Sequence, residues 1–198
     1  MKRDRLTKGL IQVYTGNSKG KSTAAFGLVT RAAGHGFKSY IVQFQKGGQY
    51  YGETITWQRM YPQIQFSQYG RVCPISNLIR QGEAVCNGCG ACFLKKGEGT
   101  QEDIRQAHLA LEKAREVMLS DEFDLVILDE LSNALYFELV TLEEVLELLR
   151  QKPPLVEVVI TGRNAPPEII EMADLVTEMK EIKHPFAKGE PSRRGIEY

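Results

Sequence analysis

Long apolar runs are missing from this chain of 198 residues. A helix that crosses a bilayer needs roughly 20 consecutive apolar residues, and no stretch here reaches that length. An excess of charge of one sign is missing as well. Lys plus Arg number 25 and Asp plus Glu number 25, so the net charge is zero, and nothing in that balance points to wholesale nucleic-acid binding. Met1-Lys2-Arg3-Asp4-Arg5 is charged but leads into a strand-like segment, not into the apolar centre of a signal peptide. Internal repeats and low-complexity segments are absent too. The expectation is a cytoplasmic chain without membrane or nucleic-acid partners. Its four cysteines are then read as thiols or metal ligands before disulfides. The length predicts one domain over residues 1–198, large enough for a real core.

What is present begins with residues 10–23. The apolar Leu10-Ile11-Gln12-Val13-Tyr14 ends in Thr15-Gly16-Asn17-Ser18-Lys19-Gly20-Lys21-Ser22-Thr23, followed by small, helix-compatible residues. A strand, a phosphate-cradling loop and a helix start read in that order. Backbone N–H groups and the helix dipole attract a polyphosphate. Lys21 adds a point charge, and the Ser22 hydroxyl suits Mg²⁺. The common loop pattern places its first glycine five residues before the second. Here that position is Thr15, and Gly16 comes one residue late. The shift predicts a loop that still binds phosphate along an altered path.

Downstream, a helix is expected over 21–33, stopped by Gly34-His35-Gly36. Residues 39–44 and 64–66 read as short strands. The first of these ends in Gln45-Lys46-Gly47-Gly48, at the edge where open α/β sheets bind ligands, so Lys46 and Glu53 are candidates to face a nucleotide. Residues 67–100 are irregular and carry every cysteine. A helix returns over 101–119, with His108 on its surface or partly buried. Asp124-Leu125-Val126-Ile127-Leu128-Asp129-Glu130 reads as a buried strand that delivers two carboxylates to its end. In phosphate-loop proteins such an acid holds Mg²⁺ beside the loop Ser or Thr. Thr141 and Glu144 form a capping box before a helix that Pro153-Pro154 stops. Residues 155–161 and 175–179 read as further strands, with a helix opening at Pro166-Pro167 between them. Strands alternating with helices predict a mostly parallel sheet covered on both faces.

These residues together resemble the P-loop family of ATP:corrinoid adenosyltransferases. The resemblance rests on Tyr14 to Gly27, Arg31-Ala32-Ala33-Gly34-His35-Gly36, Val42-Gln43-Phe44 with Lys46-Gly47, and Leu128-Asp129-Glu130-Leu131. It continues through Ile160-Thr161-Gly162-Arg163-Asn164-Ala165-Pro166, Ala173-Asp174, Lys183-His184-Pro185-Phe186 and the closing Gly195-Ile196-Glu197-Tyr198. Thr15 before the late glycine is also the family's pattern. The resemblance implies a RecA-like P-loop fold in which ATP lies reversed in the loop. It implies transfer of the 5′-deoxyadenosyl group of ATP to cobalt(I) of a corrinoid, with release of triphosphate, in adenosylcobalamin biosynthesis or salvage. Carried over residue by residue, Gly16, Asn17, Ser18, Lys19, Gly20, Lys21, Ser22 and Thr23 face the phosphates. Arg31, Arg163 and Asn164 are further cofactor-binding candidates. Ser22, Asp129 and Glu130 hold Mg²⁺, and Lys21 and Glu130 carry the catalytic role. A homodimer and an electron donor for cobalt reduction are implied partners.

The chain departs from that pattern between about 67 and 95. Cys73-Pro74 is followed by Cys86-Asn87-Gly88-Cys89-Gly90-Ala91-Cys92-Phe93. Of the aromatics that shape the family's corrinoid site, only Phe93 has a counterpart. Three cysteines at three-residue spacing and a remote Cys-Pro resemble one ferredoxin motif and suit a [4Fe–4S] cluster. The same four thiols suit a closed tetrahedral Zn²⁺ site, and both remain open, as does a metal-free segment. Two other functions share some features. A nucleoside kinase of the thymidine kinase type also joins a phosphate loop, an acidic strand and a four-cysteine zinc site, but with its cysteines after the acidic strand. A non-enzymatic, ATP-gated metal-cluster module is the other. Thr161-Gly162-Arg163-Asn164 and Lys183-His184-Pro185-Phe186 favour the transferase over both.

Overall fold

The apolar runs become strands of one sheet. In this computed structural model, which describes residues 5–48, 51–92, 94–190 and 192–198, β1 is Ile11–Thr15, β2 Ser39–Phe44, β3 Ile64–Tyr69, β4 Leu125–Asp129, β5 Glu157–Thr161 and β6 Leu175–Glu178. Their order is β3-β2-β4-β5-β1-β6, and every pairing is parallel. The expected strands lie within a residue or two of these bounds, except that β3 continues past Phe66 to Tyr69. The helices are α1 Lys21–Gly34, α2 Gly52–Arg59, α3 Ser76–Gln81, α4 Gln101–Leu119, α5 Leu131–Tyr136, α6 Leu142–Arg150 and α7 Pro167–Met172, with a 3-10 turn over Pro185–Lys188.

Side chains alternate across the sheet, and each set finds its own layer. Val42, Phe44, Val126, Leu128, Val158 and Ile160 pack with Ala110, Ala114 and Leu131 and the apolar stripe of α6 on one face. Ile41, Leu125, Ile127 and Val159 pack with Ala25, Val29 and Trp57 on the other. Burial on both faces explains why these strands read as continuous apolar runs instead of alternating ones. Trp57 also meets Phe26 edge to face, with ring centroids 4.7 Å apart. β6 lies at the sheet margin with all four residues exposed.

This topology brings the C-terminal ends of β2, β4, β5 and β1 side by side. Ligands of open α/β sheets bind at that edge, and the loop after β1, the acids after β4 and Arg163-Asn164 after β5 all open there. Helix starts are set by local chemistry. The Thr141 hydroxyl accepts from the Glu144 N–H while the Glu144 carboxylate accepts from Thr141 N–H, at 3.3 and 2.8 Å. Thr100 and Asp103 make the same reciprocal pair at the start of α4. Replacing Thr141 by Ala is expected to lower stability by about 1 kcal/mol. Urea unfolding of the variant, at unchanged slope, measures it.

Candidate active site

The loop between β1 and α1 is held by its neighbour β6. Thr15 is still strand, paired with Glu178, and its hydroxyl accepts from the Ala165 N–H at 3.3 Å. The left-handed turn therefore falls one residue later, on Gly16 at φ 104°. A Cβ there would sit 2.4 Å from the Met179 carbonyl oxygen, so only glycine fits. This is the physical reason for the late glycine. Ser18 N–H donates to that same Met179 oxygen at 3.0 Å. Gly20, at φ 114°, turns the chain into α1. Lys21 is buried, and its ammonium curls back to donate to the Gly16 and Ser18 carbonyls at 2.9 and 2.6 Å. Burial pushes its pKa down, opposed by the nearby Glu130 carboxylate. Lys19 is taken by the Glu197 carboxylate at 2.7 Å, and the Asn17 side-chain oxygen accepts from the Glu181 N–H at 3.3 Å. The chain's last residues thus lie against the loop.

Asp129 has no solvent exposure. It accepts from Gln43 Nε2 at 2.9 Å, Lys46 Nζ at 2.7 Å and Thr161 Oγ1 at 2.7 Å. Burial alone would raise its pKa, but Lys46, Gln43 and the Ser22 hydroxyl outweigh burial and hold it below the ordinary value. Its neighbour Glu130 goes the other way, raised by burial and by the Asp129 charge. Glu130 sits in a left-handed conformation, φ 63°, which turns its side chain off the strand axis. Its N–H donates to Thr161 Oγ1 at 3.0 Å, and its carboxylate accepts from Asn133. Asn133 in turn accepts from the Arg163 N–H at 2.8 Å, which ties the ends of β4 and β5.

A cavity of about 450 Å³ opens beside these groups. Its lining includes Glu130, Asn133 and Arg163 on one hand and Arg71, Cys92 and Leu94 on the other. The loop after β1, the paired acids at the end of β4 and this cavity adjoin at one edge of the sheet. Residues 7–198 match the family model described as ATP:corrinoid adenosyltransferase BtuR/CobO/CobP. The chain belongs to the ATP:corrinoid adenosyltransferase family. A protein named corrinoid adenosyltransferase from Sinorhizobium is 38% identical over 192 residues, covering 96% of this chain and 81% of the relative. Proteins of the same name are 36% identical in Pseudomonas aeruginosa and 33% in Escherichia coli K12, each over 191 residues, 96% of this chain and 84% and 86% of the relatives. The chain is a transferase of this family, and the kinase and non-enzymatic readings are not favoured.

Most of the expected adenosyltransferase residues converge. Gly16, Asn17, Ser18, Lys19, Gly20, Lys21, Ser22 and Thr23 form the loop and the first turn of α1, and Asp129 and Glu130 stand across from Ser22. Ser22 and the two acids suit a hard dication, which binds through one or two carboxylates plus substrate phosphates. A cation there would relieve the repulsion that raises Glu130. Among the described residues no group of three or more His, Cys, Asp or Glu is arranged to hold a metal, so the phosphates would have to complete the set. Arg163 and Asn164 lie at the cavity. Arg31 does not join them. It is exposed in the last turn of α1, ten residues or about 15 Å of helix from Lys21. Phe93 lies outside the described residues. Cys73 is buried, Cys92 half-buried, and Cys86 and Cys89 are exposed. Burial raises the Cys92 thiol, and the charges of Cys73, Cys86 and Cys89 reach it and add to that shift.

Several site residues were not singled out from the sequence. Asn133 and Thr161 orient the acids, and Gln45 lines the cavity with a buried, unpartnered side-chain nitrogen. Asp103 holds Arg71 by two bonds at 2.9 and 2.8 Å. Positive φ at Gln45, 57°, is invisible in sequence. Lys46, left undecided by the sequence, proves to be the counter-charge of Asp129. Lys46→Met strands a buried carboxylate and is expected to cost about 3 kcal/mol, measured by urea unfolding at neutral pH. The Arg71 guanidinium and its hydrogen bonds hold the Asp103 carboxyl well below the usual range. A depressed carboxylate stabilises the fold above its unfolded pKa, near about 3.9, and that stability is lost as pH falls toward its folded value. Asp103→Asn should therefore flatten the stability profile below about pH 4, with the wild-type profile remaining steep.

Proposed function

We propose that this chain carries out the reaction its family is named for, with the following division of labour. The loop from Gly16 to Ser22 takes the triphosphate of ATP. The observation that carries this reading is the loop geometry itself: Gly16 forced late by Met179, Lys21 folded onto the loop carbonyls, and Ser22 facing Asp129. A phosphate arriving at the loop offers the Lys21 ammonium a better acceptor than two neutral carbonyls. Glu197 leaves Lys19 for the same reason, or stays and narrows the mouth of the site.

The bond that breaks joins the ribose C5′ to the triphosphate oxygen, and the bond that forms joins C5′ to cobalt(I). The electron pair comes from the metal of the corrinoid, so no side chain has to remove a proton. What the chain supplies is position and charge. Lys19, Lys21 and the loop N–H groups stabilise negative charge that builds on the departing triphosphate. Mg²⁺ held at Ser22, Asp129 and Glu130 would add to that neutralisation. Arg163 and Asn164 border the cavity in which the corrinoid would stand, and holding the two substrates together lowers the entropic part of the barrier.

Residues 1–198 act as one domain in a homodimer in the cytoplasm. An electron donor brings cobalt to the (I) state. The corrinoid, whether cobalamin or a precursor, enters through the cavity. The four cysteines carry a metal, as a [4Fe–4S] cluster or as zinc.

The test is an anaerobic assay with ATP and a chemically reduced corrinoid, following the light-sensitive cobalt–carbon bond. The wild-type chain should form it. Lys21→Ala should stay folded and lose kcat/KM by about a hundredfold or more. A variant with normal turnover would remove Lys21 from the phosphate site.

A further inference from the structure

Between the end of β3 and the start of α4 the chain makes a long excursion. Its base is pinned. Arg71 donates twice to Asp103 and once, at 3.1 Å, to the Glu98 carbonyl. Just inside this base Cys73 is buried, and α3 buries Ser76 and Ile79. Beyond α3 the character changes. Residues 82–100 form no helix or strand among those described, and none of the described residues from 81 to 100 is buried. Val85 is 80% exposed.

A stretch of that length has a problem of physical chemistry. Ordering each residue costs about 1–2 kcal/mol of backbone entropy, and among the described residues from 82 to 100 Leu94 alone packs, partly buried, against the main core. Small structures in that position are held by a cross-link or a metal. The stretch contains one recurrent metal donor, the thiol, at Cys86, Cys89 and Cys92, with Cys73 at the base; as the four stand, they form no group that could hold a single metal ion. The gaps between the three are Asn87-Gly88 and Gly90-Ala91. Gly88 and Gly90 adopt φ 68° and 75° in open space, so the chain turns after Cys86 and after Cys89 without obstruction. The Cys89 N–H donates to the Asn87 side-chain oxygen at 3.1 Å in an exposed turn.

We propose that Cys73, Cys86, Cys89 and Cys92 close on one thiolate-bound iron–sulfur cluster, which serves as the core of residues 82–100 and fixes the cavity wall at Cys92 and Leu94. Three thiols at three-residue spacing with one remote thiol before proline match cluster ligation, whereas zinc sites favour two separate pairs. The structural part of the proposal follows from Cys92 and Leu94 lining the same cavity as Glu130 and Arg163. That the cavity receives the corrinoid rests on the function proposed above.

The experiment uses the whole chain, purified without oxygen. Iron and acid-labile sulfide should each reach about four per chain. Amide hydrogen exchange is then compared between the loaded chain and the chain stripped by chelator and oxidant. Protection over 82–100 should be present only when loaded, while α4 and the sheet exchange alike in both. That comparison also shows that the stripped chain is folded. Cys86→Ser with Cys89→Ser should lose the same protection and weaken corrinoid binding, with ATP binding unchanged. Absence of iron after anaerobic reconstitution, or equal exchange over 82–100 in the two states, overturns the proposal. One zinc per chain without sulfide overturns the cluster assignment. Failure of the adenosyl-transfer reading is distinct: a loaded, protected chain that forms no cobalt–carbon bond.

Discussion

Everything at the C-terminal edge of the sheet depends on one buried carboxylate. Asp129 stands on the central strand β4 and takes hydrogen bonds from β2 through Gln43, from the following loop through Lys46, and from β5 through Thr161. A buried charge is tolerated only when it is paired and fully hydrogen-bonded. Meeting that condition fixes three strand ends relative to one another. Thr161 passes the order on, because its hydroxyl also receives the Glu130 N–H, and Asn133 carries it to Arg163. Such a pair adds little net stability over an apolar core. What it adds is position, at the edge where open α/β sheets bind ligands.

The two acids then differ in state although they adjoin in sequence. Asp129 is kept ionised by Lys46 and its other donors, while burial and the Asp129 charge push Glu130 upward. Lys46, Lys21 and Arg163 oppose that rise without cancelling it. A dication at the pair would offset the repulsion between the two carboxylates. The loop on the opposite bank is equally constrained, since Thr15 is committed to the strand and Gly16 to close contact with Met179. Transfer of carbon to cobalt asks for this kind of site, because the leaving group carries the charge and the nucleophile brings its own electrons.

Much of this was legible in the chain. The phosphate loop, the acidic strand end, the helix over 101–119 and both faces of the sheet follow from periodicity and from a few residue types. The capping box at Thr141 and Glu144 forms as its spacing predicts. What escaped the sequence depends on distant partners. Lys46 and Asp129 are 83 residues apart, and Arg71 and Asp103 are separated by the irregular stretch between them. α2 buries only Thr54 and Trp57, too few positions to mark a helix, and α3 and α5 are shorter still, at six residues each. Arg31 was placed with the site on motif grounds, and α1 carries it in its last turn, where its charge reaches Tyr14. The cysteine segment was legible as a donor pattern and not as a shape, since none of the described residues from 81 to 100 is buried and no apolar periodicity marks it.

The account turns on which bond of ATP is broken. Phosphorus NMR of the products, after anaerobic reaction with ATP and a reduced corrinoid, reads this directly. Intact inorganic triphosphate, formed in step with adenosylated corrinoid, is the predicted result. ADP with orthophosphate, or a phosphorylated acceptor, would mean that the loop presents phosphorus instead of carbon and would contradict the account.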